Sequence, residues 1–138
     1  MLPALDPPHF DFSEPFWDAV AEERLVLPRC SVCGRWEWYP THAGTGCTGG
    51  ELVWEDVAGT GTVYSFSVVH RSFLPGGRAH VPYVVGLVDL DGVDGPRLVA
   101  SLDDRTEWKV GDRVHATFTN IGERRHPVFC RSDEGGDR

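Results

Sequence analysis

The strongest constraint on this chain is the sequence Cys30-Ser-Val-Cys33-Gly34, in which two residues separate two cysteines and a glycine follows. Two thiolates at this spacing can point at one metal ion, because the glycine permits a tight backbone turn beneath them. The pair therefore indicates a zinc knuckle, which needs two further ligands from elsewhere in the chain. Residues 25–28 lead into the knuckle, and we expect them to form a short strand.

The other ligands are sought in the glycine-rich segment that follows the knuckle. Cys47 supplies a third sulfur, and His42 is the nearest residue with suitable chemistry for the fourth position. Cys130 would have to fold back from the far end of the chain. A thiolate-rich site with four protein ligands has no open position, so bound zinc would be structural and not catalytic. The alternative is that the metal has been lost and that aromatic packing holds a vestigial ribbon together.

The net charge and the cysteine spacing restrict the cellular compartment and the classes of binding partner that we expect. The close cysteine pair, without a secretory hydrophobic region, favours a reduced cytoplasmic setting over a disulfide framework. No apolar run approaches the roughly 20 residues that a membrane span needs. The net charge of −8 weighs against sequence-independent nucleic-acid binding, which needs a basic surface. We therefore expect neither a membrane nor a nucleic acid as partner.

The chain divides into four predicted segments: an N-terminal arm and helix (1–24), a zinc-ribbon-like segment (25–50), a β-barrel (51–131) and a disordered tail (132–138). Ser13 is the expected N-cap of a helix that runs to about Arg24. Phe16 and Trp17 lie on and beside its apolar stripe. Either this stripe packs on its own domain, or Phe16 and Trp17 face another subunit.

Aromatic residues are concentrated just after the knuckle. Trp36, Trp38 and Tyr39 follow it with the alternation of a second strand in a ribbon hairpin. Three large aromatics in four positions exceed what so small a ribbon can bury by itself. Some of them must therefore pack on the neighbouring domain, on the arm or on a partner.

From residue 51 onward the pattern is that of short strands separated by turn residues. The segment Gly59-Thr-Gly61 lacks the third glycine and the following helix of a phosphate-binding loop, so a bulge or bend in a curved sheet is favoured. Residues 113–119 alternate most cleanly, with apolar side chains at every second position. Five or six such strands, with turn signals every 8–12 residues, indicate a small closed β-barrel.

No catalytic set stands out among the polar residues. The six histidines are scattered, and none has the spacing of a metal or nucleophile motif. His70 and Arg71, at the end of a strand, form the best-placed polar pair for a ligand edge, and a solvated loop pair is the plainer interpretation. We therefore expect no independent catalysis.

Five motifs in order resemble one family across about residues 12–129: the zinc-ribbon (rubredoxin-like) plus OB-fold proteins found beside thiolases, once listed as a domain of unknown function. The motifs are Phe16-Trp17, Leu25-x-Leu-x-x-Cys30-x-x-Cys33-Gly34, Gly59-x-Gly-Thr-Val-Tyr-Ser-Phe, Pro82-Tyr-x-Val-x-Leu-Val and Gly111-Asp-x-Val. The family has a second Cys-x-x-Cys, and here Cys47 matches its second cysteine while Gly44 holds the position of its first. The expected fold class is thus mainly β, with an N-terminal helix and zinc-ribbon hairpin followed by a small OB-fold barrel.

The resemblance implies an accessory subunit that docks on a thiolase-superfamily enzyme, an aldolase or acyltransferase acting on acyl-CoA thioesters. Some members belong to aldolase (lyase) complexes that shorten steroid side chains, and there the domain is often fused to an enoyl-CoA hydratase. The present chain is therefore expected to be a subunit, or one domain of a longer protein, in lipid metabolism. Its docking residues would be the helix and ribbon aromatics, namely Phe16, Trp17, Trp36, Trp38 and Tyr39.

Two other functions are considered. A stand-alone module that binds CoA or acyl-CoA would use Arg29, Arg35, Arg71 and Arg78 for phosphate contacts. An OB-fold that binds single-stranded nucleic acid would need aromatic platforms in a basic groove, and the charge of −8 makes this the least favoured of the three.

Overall fold

The computed structural model describes residues 14–38, 50–71, 82–121 and 124–132. The predicted arm at 1–12 and the tail after Ser132 lie outside these ranges. Within them the chain is mainly β, as predicted. Its elements in chain order are α1 (Glu14–Ala21), β1 (Leu25–Cys30), β2 (Leu52–Val57), β3 (Thr60–Val69), β4 (Tyr83–Leu90), β5 (Leu98–Leu102), β6 (Arg113–Ile121) and β7 (Arg124–Arg131).

Helix α1 ends earlier than the predicted Arg24 because the chain turns at Glu23. Glu23 has a φ of 63°, in the left-handed region that non-glycine residues seldom adopt. The N–H of Arg24 donates to the carbonyl of Ala19, and the N–H of Glu23 donates to that of Val20, both at 2.9 Å. This is the Schellman pattern of helix termination. The usual sequence signal, a glycine, is missing at Glu23.

Strands β1 and β2 form a separate antiparallel two-stranded sheet. Their register runs without a shift from Leu25 opposite Val57 to Cys30 opposite Leu52. The range 51–131 predicted for the barrel thus includes β2, which the structure pairs with β1.

The second hairpin strand predicted at Trp36 makes only a single bridge, to Arg29. The reason lies in Pro28, which has no N–H to give to a ladder on that side. Only the Pro28 carbonyl takes part, as the acceptor of a 2.9 Å bond from the N–H of Glu37. The segment after the knuckle therefore stays short of a regular strand.

The predicted barrel is confirmed as a closed five-stranded sheet in the order β3-β4-β5-β7-β6, with β6 returning to β3. Strands β5 and β7 are parallel, and the other neighbours are antiparallel. This is the topology of the OB-fold. Its interior is filled by alternate residues of each strand, including Val63, Val88, Val114 and Phe129, which are fully buried.

The bulge or bend predicted at Gly59-Thr-Gly61 corresponds to two separate features of β3, a bulge and a close backbone approach. The register of β3 against β4 shifts between Val63 and Ser65, so the bulge lies at Tyr64. At Gly61 the backbones approach closely, since a Cβ there would lie 2.4 Å from the carbonyl oxygen of Asp89. Gly61 is thus required by packing, and the bulge itself falls three residues later.

Helix α1 joins the two sheets. It packs against β1 on one side and against β7 on the other. Just beyond the helix, Glu23 forms an ion pair with Arg125 at the start of β7. No helix within the described residues is long and apolar enough to cross a bilayer.

Candidate functional site

The knuckle has the geometry that a metal-bound thiolate requires. The Sγ of Cys30 accepts hydrogen bonds from the backbone N–H groups of Val32, at 3.4 Å, and Cys33, at 3.5 Å. Hydrogen bonds of this kind favour the charged form of an acceptor. Gly34 has a φ of 77°, and its N–H donates to the Cys30 carbonyl at 3.0 Å. The turn predicted from Cys-x-x-Cys-Gly is therefore present.

Side chains around the knuckle fix its shape and charge. Arg29 donates through Nε to the Gly34 carbonyl at 2.8 Å and stacks over the Trp36 ring at 4.6 Å. A hydrogen bond from Glu37 chiefly raises the pKa of Arg35, and the Cys33 and Cys30 sulfurs add to that effect more weakly. The Arg35 guanidinium therefore lies near both sulfurs.

The second half of the ribbon is hydrogen-bonded to the knuckle turn through Glu51. The N–H of Ser31 donates to the Glu51 carbonyl at 2.9 Å, and the N–H of Glu51 donates to the Ser31 hydroxyl at 3.1 Å. Residue 51 is thus bonded to the knuckle turn itself. Cys47 lies four residues before Glu51 in the sequence.

The predicted ligands His42 and Cys47 both lie outside the described residues. Cys33 is exposed and Cys30 is buried, so the pair presents one accessible and one covered sulfur. The remaining described cysteine, Cys130, lies on β7 opposite His115 and 3.8 Å from the Thr117 hydroxyl. Among the described residues, no three potential ligands gather at one point.

The predicted docking role of Phe16 needs correction, because the side chain is buried in its own chain. It is 4% exposed. Its ring centroid lies 5.0 Å from that of Trp17 and 5.0 Å from that of Trp38. Phe16 is the point where helix and ribbon meet, and it has no surface left to offer a partner.

Trp17 continues this aromatic contact to the barrel. Its ring lies 5.3 Å from the His126 ring on β7, and the Arg124 guanidinium sits 4.9 Å from its centroid. A line of contacts therefore runs from Trp38 through Phe16 and Trp17 to His126. It joins ribbon, helix and barrel, and accounts for aromatics that the ribbon alone cannot bury.

Trp17, Trp36 and Trp38 are each partly exposed while packing against the core. Each therefore retains some surface, and a docking role for these three stays a prediction. The fifth predicted docking residue, Tyr39, lies outside the described residues.

Three of the four arginines predicted for CoA lie within the described residues, and a CoA-binding role for them stays a prediction. Arg29 pairs with Glu55 at 3.4 Å, and Arg35 pairs with Glu37 at 3.0 Å, both on the ribbon. Arg71 is exposed beyond the end of β3, beside the exposed His70. Arg78 lies outside the described residues.

Two polar clusters were not foreseen from the sequence. Arg113 donates to both carboxylate oxygens of Asp91, at 2.9 and 2.6 Å, and the Thr60 hydroxyl donates to the same carboxylate at 2.6 Å. These bonds, that of Arg113 first, lower the pKa of Asp91 to about 2. Because the members are 22 to 53 residues apart in sequence, no local pattern could have indicated them.

The second cluster is a contact between the His115 Nδ1 and the Ser132 hydroxyl at 3.0 Å. Serine and histidine at this distance are the first two members of a nucleophilic triad. His115 is exposed, and in the described part of the chain no carboxylate contact to it orients the ring. Within the described ranges, the contact therefore contains two members of such a triad and no third.

Comparison with known families gives two adjacent matches. Residues 17–53 match the rubredoxin-like zinc ribbon domain of ChsH2, and residues 54–119 match the C-terminal OB-fold domain of ChsH2. The knuckle at Cys30 and Cys33, with its N–H···S bonds, fits the zinc of such a ribbon. Structural zinc is thus supported both by the family and by the local geometry.

Three similar proteins place these matches in context. A chain of the solved structure "Ltp2-ChsH2(DUF35) aldolase" superposes with a TM-score of 0.75 and 29% identity, over 91% of this chain and 98% of that one. A DUF35 protein of unknown function from Sulfolobus solfataricus, with a TM-score of 0.59 and 14% identity over 88% and 86%, shares the fold. A probable enoyl-CoA hydratase alpha subunit from Thermomonospora curvata is 40% identical over 90 residues. That match covers 63% of this chain but only 26% of the longer relative.

Proposed function

The chain belongs with the ChsH2 proteins, since it carries both their zinc ribbon and their OB-fold domain, and we propose that it is a non-catalytic accessory subunit of a thiolase-superfamily enzyme. That enzyme would be an aldolase or acyltransferase acting on acyl-CoA thioesters. The observation that carries the proposal is the similarity to a chain of the Ltp2-ChsH2 aldolase along nearly the whole length of both.

The described residues support a structural role and not a chemical one. Their one serine–histidine contact lies on the surface at His115. Asp91, whose pKa is lowered to about 2, already accepts three hydrogen bonds from Arg113 and Thr60. An acid held at a pKa of about 2 is a poor proton donor or acceptor near neutral pH. Both of these polar contacts, within the part of the chain that the structure describes, connect elements of the fold to one another.

The ribbon and the barrel are connected through packed aromatic side chains, which suits a docking platform. The contacts through Trp38, Phe16, Trp17 and His126 hold the ribbon against the barrel. Zinc at Cys30 and Cys33 would add a second fixed point by anchoring the loop that leaves the ribbon. With Cys47 and His42 as the proposed remaining ligands, the metal would stabilise the ribbon and take no part in the reaction.

The most specific form of the proposal places the complex in the shortening of a steroid side chain, with an enoyl-CoA hydratase as a further partner. The name of the Thermomonospora curvata relative supports the association with a hydratase. Its greater length supports the idea that the present unit works beside, or within, a larger hydratase assembly. Acyl-CoA would then meet the accessory chain at its interface with the enzyme.

Co-purification tests the proposed function. The affinity-tagged chain, expressed in its source organism, is expected to retain a thiolase-like protein that mass spectrometry identifies. The reconstituted pair should cleave a β-hydroxyacyl-CoA with a steroid side chain, while the chain alone should be inactive. A monomer that retains no such protein, or one that acts by itself on an acyl-CoA, would contradict the proposal.

A further inference from the structure

Strand β2 has one edge that no described strand covers. In the described sheet it pairs with β1 alone. The directions of its backbone groups follow from the bonds that β1 makes elsewhere. An antiparallel ladder alternates between residues that bond to the partner strand and residues whose N–H and C=O point away from it.

Pro28 and Cys30 settle which residues of β2 point outward. The Pro28 carbonyl accepts from Glu37, and the N–H of Cys30 donates to the Arg35 carbonyl at 2.8 Å. Neither residue therefore bonds to the residue opposite, which is Trp54 for Pro28 and Leu52 for Cys30. Trp54 and Leu52 therefore direct their backbone groups away from β1, to the edge that no described strand covers.

By the same alternation, Asp56 lies opposite Val26 and also faces outward. The uncovered edge is thus formed by the N–H and C=O groups of Leu52, Trp54 and Asp56. We name it the β2 edge.

The β2 edge lacks most features that proteins use to block strand addition. Its register is regular over its whole length, and the strand contains neither proline nor lysine. Val53, the second residue of the strand, is 44% exposed, so the sheet presents apolar surface beside the edge. A two-stranded sheet is also marginal by itself and gains from a third strand.

The charges beside the edge decide what can occupy it. Glu51, Glu55 and Asp56 lie on or next to the strand. From the β1 side, Arg24 pairs with Asp56 and Arg29 pairs with Glu55. A second copy of this chain would bring the same carboxylates and a further net charge of −8. Like charges across strands destabilise pairing, whereas an extended segment with lysine or arginine would complement it.

We propose that the β2 edge takes up an extended basic segment of the partner enzyme as a third strand, through the backbone groups of Leu52, Trp54 and Asp56. This inference rests on the proposed function, since it names the docking site on the accessory chain. Backbone bonding of this kind gives affinity, and the neighbouring side chains give selectivity. The ribbon would then be the part of the chain that holds the enzyme.

Hydrogen–deuterium exchange tests the edge directly. The full chain is compared alone and in complex with the thiolase-like subunit that co-purifies with it. The amides of Leu52, Trp54 and Asp56 should exchange at least tenfold more slowly in the complex. Those of Val53 and Glu55, already bonded to β1, should change far less. Equal exchange of the outward amides in both samples would overturn the edge and leave the proposed function intact.

A matched pair of variants tests the same point by affinity. Asp56→Pro removes one outward N–H, while Asp56→Asn keeps it, and both lose the ion pair with Arg24. Calorimetry with the same subunit should show at least tenfold weaker binding for Asp56→Pro than for Asp56→Asn. Equal affinities would refute strand addition. If Asp56→Pro proves too unstable for calorimetry, the exchange measurement still decides the point, because it uses the natural chain.

Three outcomes separate a second copy as occupant, a failure of the proposed function and a failure of the edge assignment. Protection of the β2 edge that appears in the chain alone at high concentration, with dimers in sedimentation, would overturn the proposal in favour of a second copy. Absence of any complex with a thiolase-like subunit would overturn both this inference and the proposed function. A complex with an unprotected edge overturns this inference alone.

Discussion

The Asp91 cluster predicts a pH-dependent loss of stability that can be measured with one conservative substitution. Arg113 and Thr60 together donate three hydrogen bonds to the carboxylate. The pKa of Asp91 falls from an ordinary 3.8 to about 2. At about 1.36 kcal/mol per pH unit, this difference corresponds to at most about 2.4 kcal/mol. Because the Arg113 and Asp91 side chains are 44% and 42% exposed, screening by solvent reduces the expected contribution to about 1 kcal/mol.

The sign follows from the direction of the change. A lowered pKa means that the folded state binds the proton less readily than the unfolded state does, so the contribution is fully present above the unfolded pKa. It is lost as the pH falls through the folded value of about 2. Asp91→Asn should therefore lower the free energy of unfolding by about 1 kcal/mol at pH 7. At pH 2 the two proteins should differ by less than half of that amount.

Urea denaturation of both proteins at pH 7 and pH 2 measures the effect. Any loss of zinc at low pH affects both proteins equally and cancels in the comparison. Asp94→Asn, in an exposed turn near Asp91, serves as a control for the loss of one negative charge. The reasoning fails if Asp91→Asn costs the same at both pH values, or if Asp94→Asn costs as much.

Two further predictions concern packing and metal. Gly61→Ala should lower the free energy of unfolding by about 2 kcal/mol, because its Cβ would lie 2.4 Å from a backbone oxygen of Asp89, while Gly59→Ala, whose Cβ meets its nearest neighbour at 3.6 Å, should cost less than about 1 kcal/mol. Urea denaturation compares them, and equal losses would argue against the steric cause. Cys33→Ser should abolish bound zinc in elemental analysis, whereas Cys130→Ser should keep it, and zinc retained by Cys33→Ser would disprove the knuckle assignment.

The local features of this chain could be predicted because each depends on neighbouring residues. The knuckle requires only two cysteines at the right spacing and a glycine with positive φ, all within five residues. Strand β6 was foreseen from its alternation, and the barrel from several such strands with turns between them. The C-terminal boundary of α1 was missed, because its left-handed residue is Glu23 and not a glycine.

The candidate site likewise has some features that the sequence predicts and others that only the fold reveals. The Cys30–Cys33 knuckle and the surplus of aromatic residues were visible in sequence. The partner of those aromatics was not, because Trp38, Phe16 and His126 come from three separate segments. A pattern of apolar residues can indicate that a side chain is buried, but it does not say whether the residues that bury it belong to the same chain or to another protein.

The sequence alone determined the zinc knuckle, the short alternating strands and the acidic charge, since these are properties of composition and short spacing. Only the tertiary structure decided that β2 pairs with β1 and that Phe16 is buried between helix and ribbon. It also decided that Leu52, Trp54 and Asp56 direct their backbone groups to an edge that no described strand covers. The physical reason is that strand pairing is set by long-range packing, and the direction of each N–H depends on which neighbour strand is already bonded.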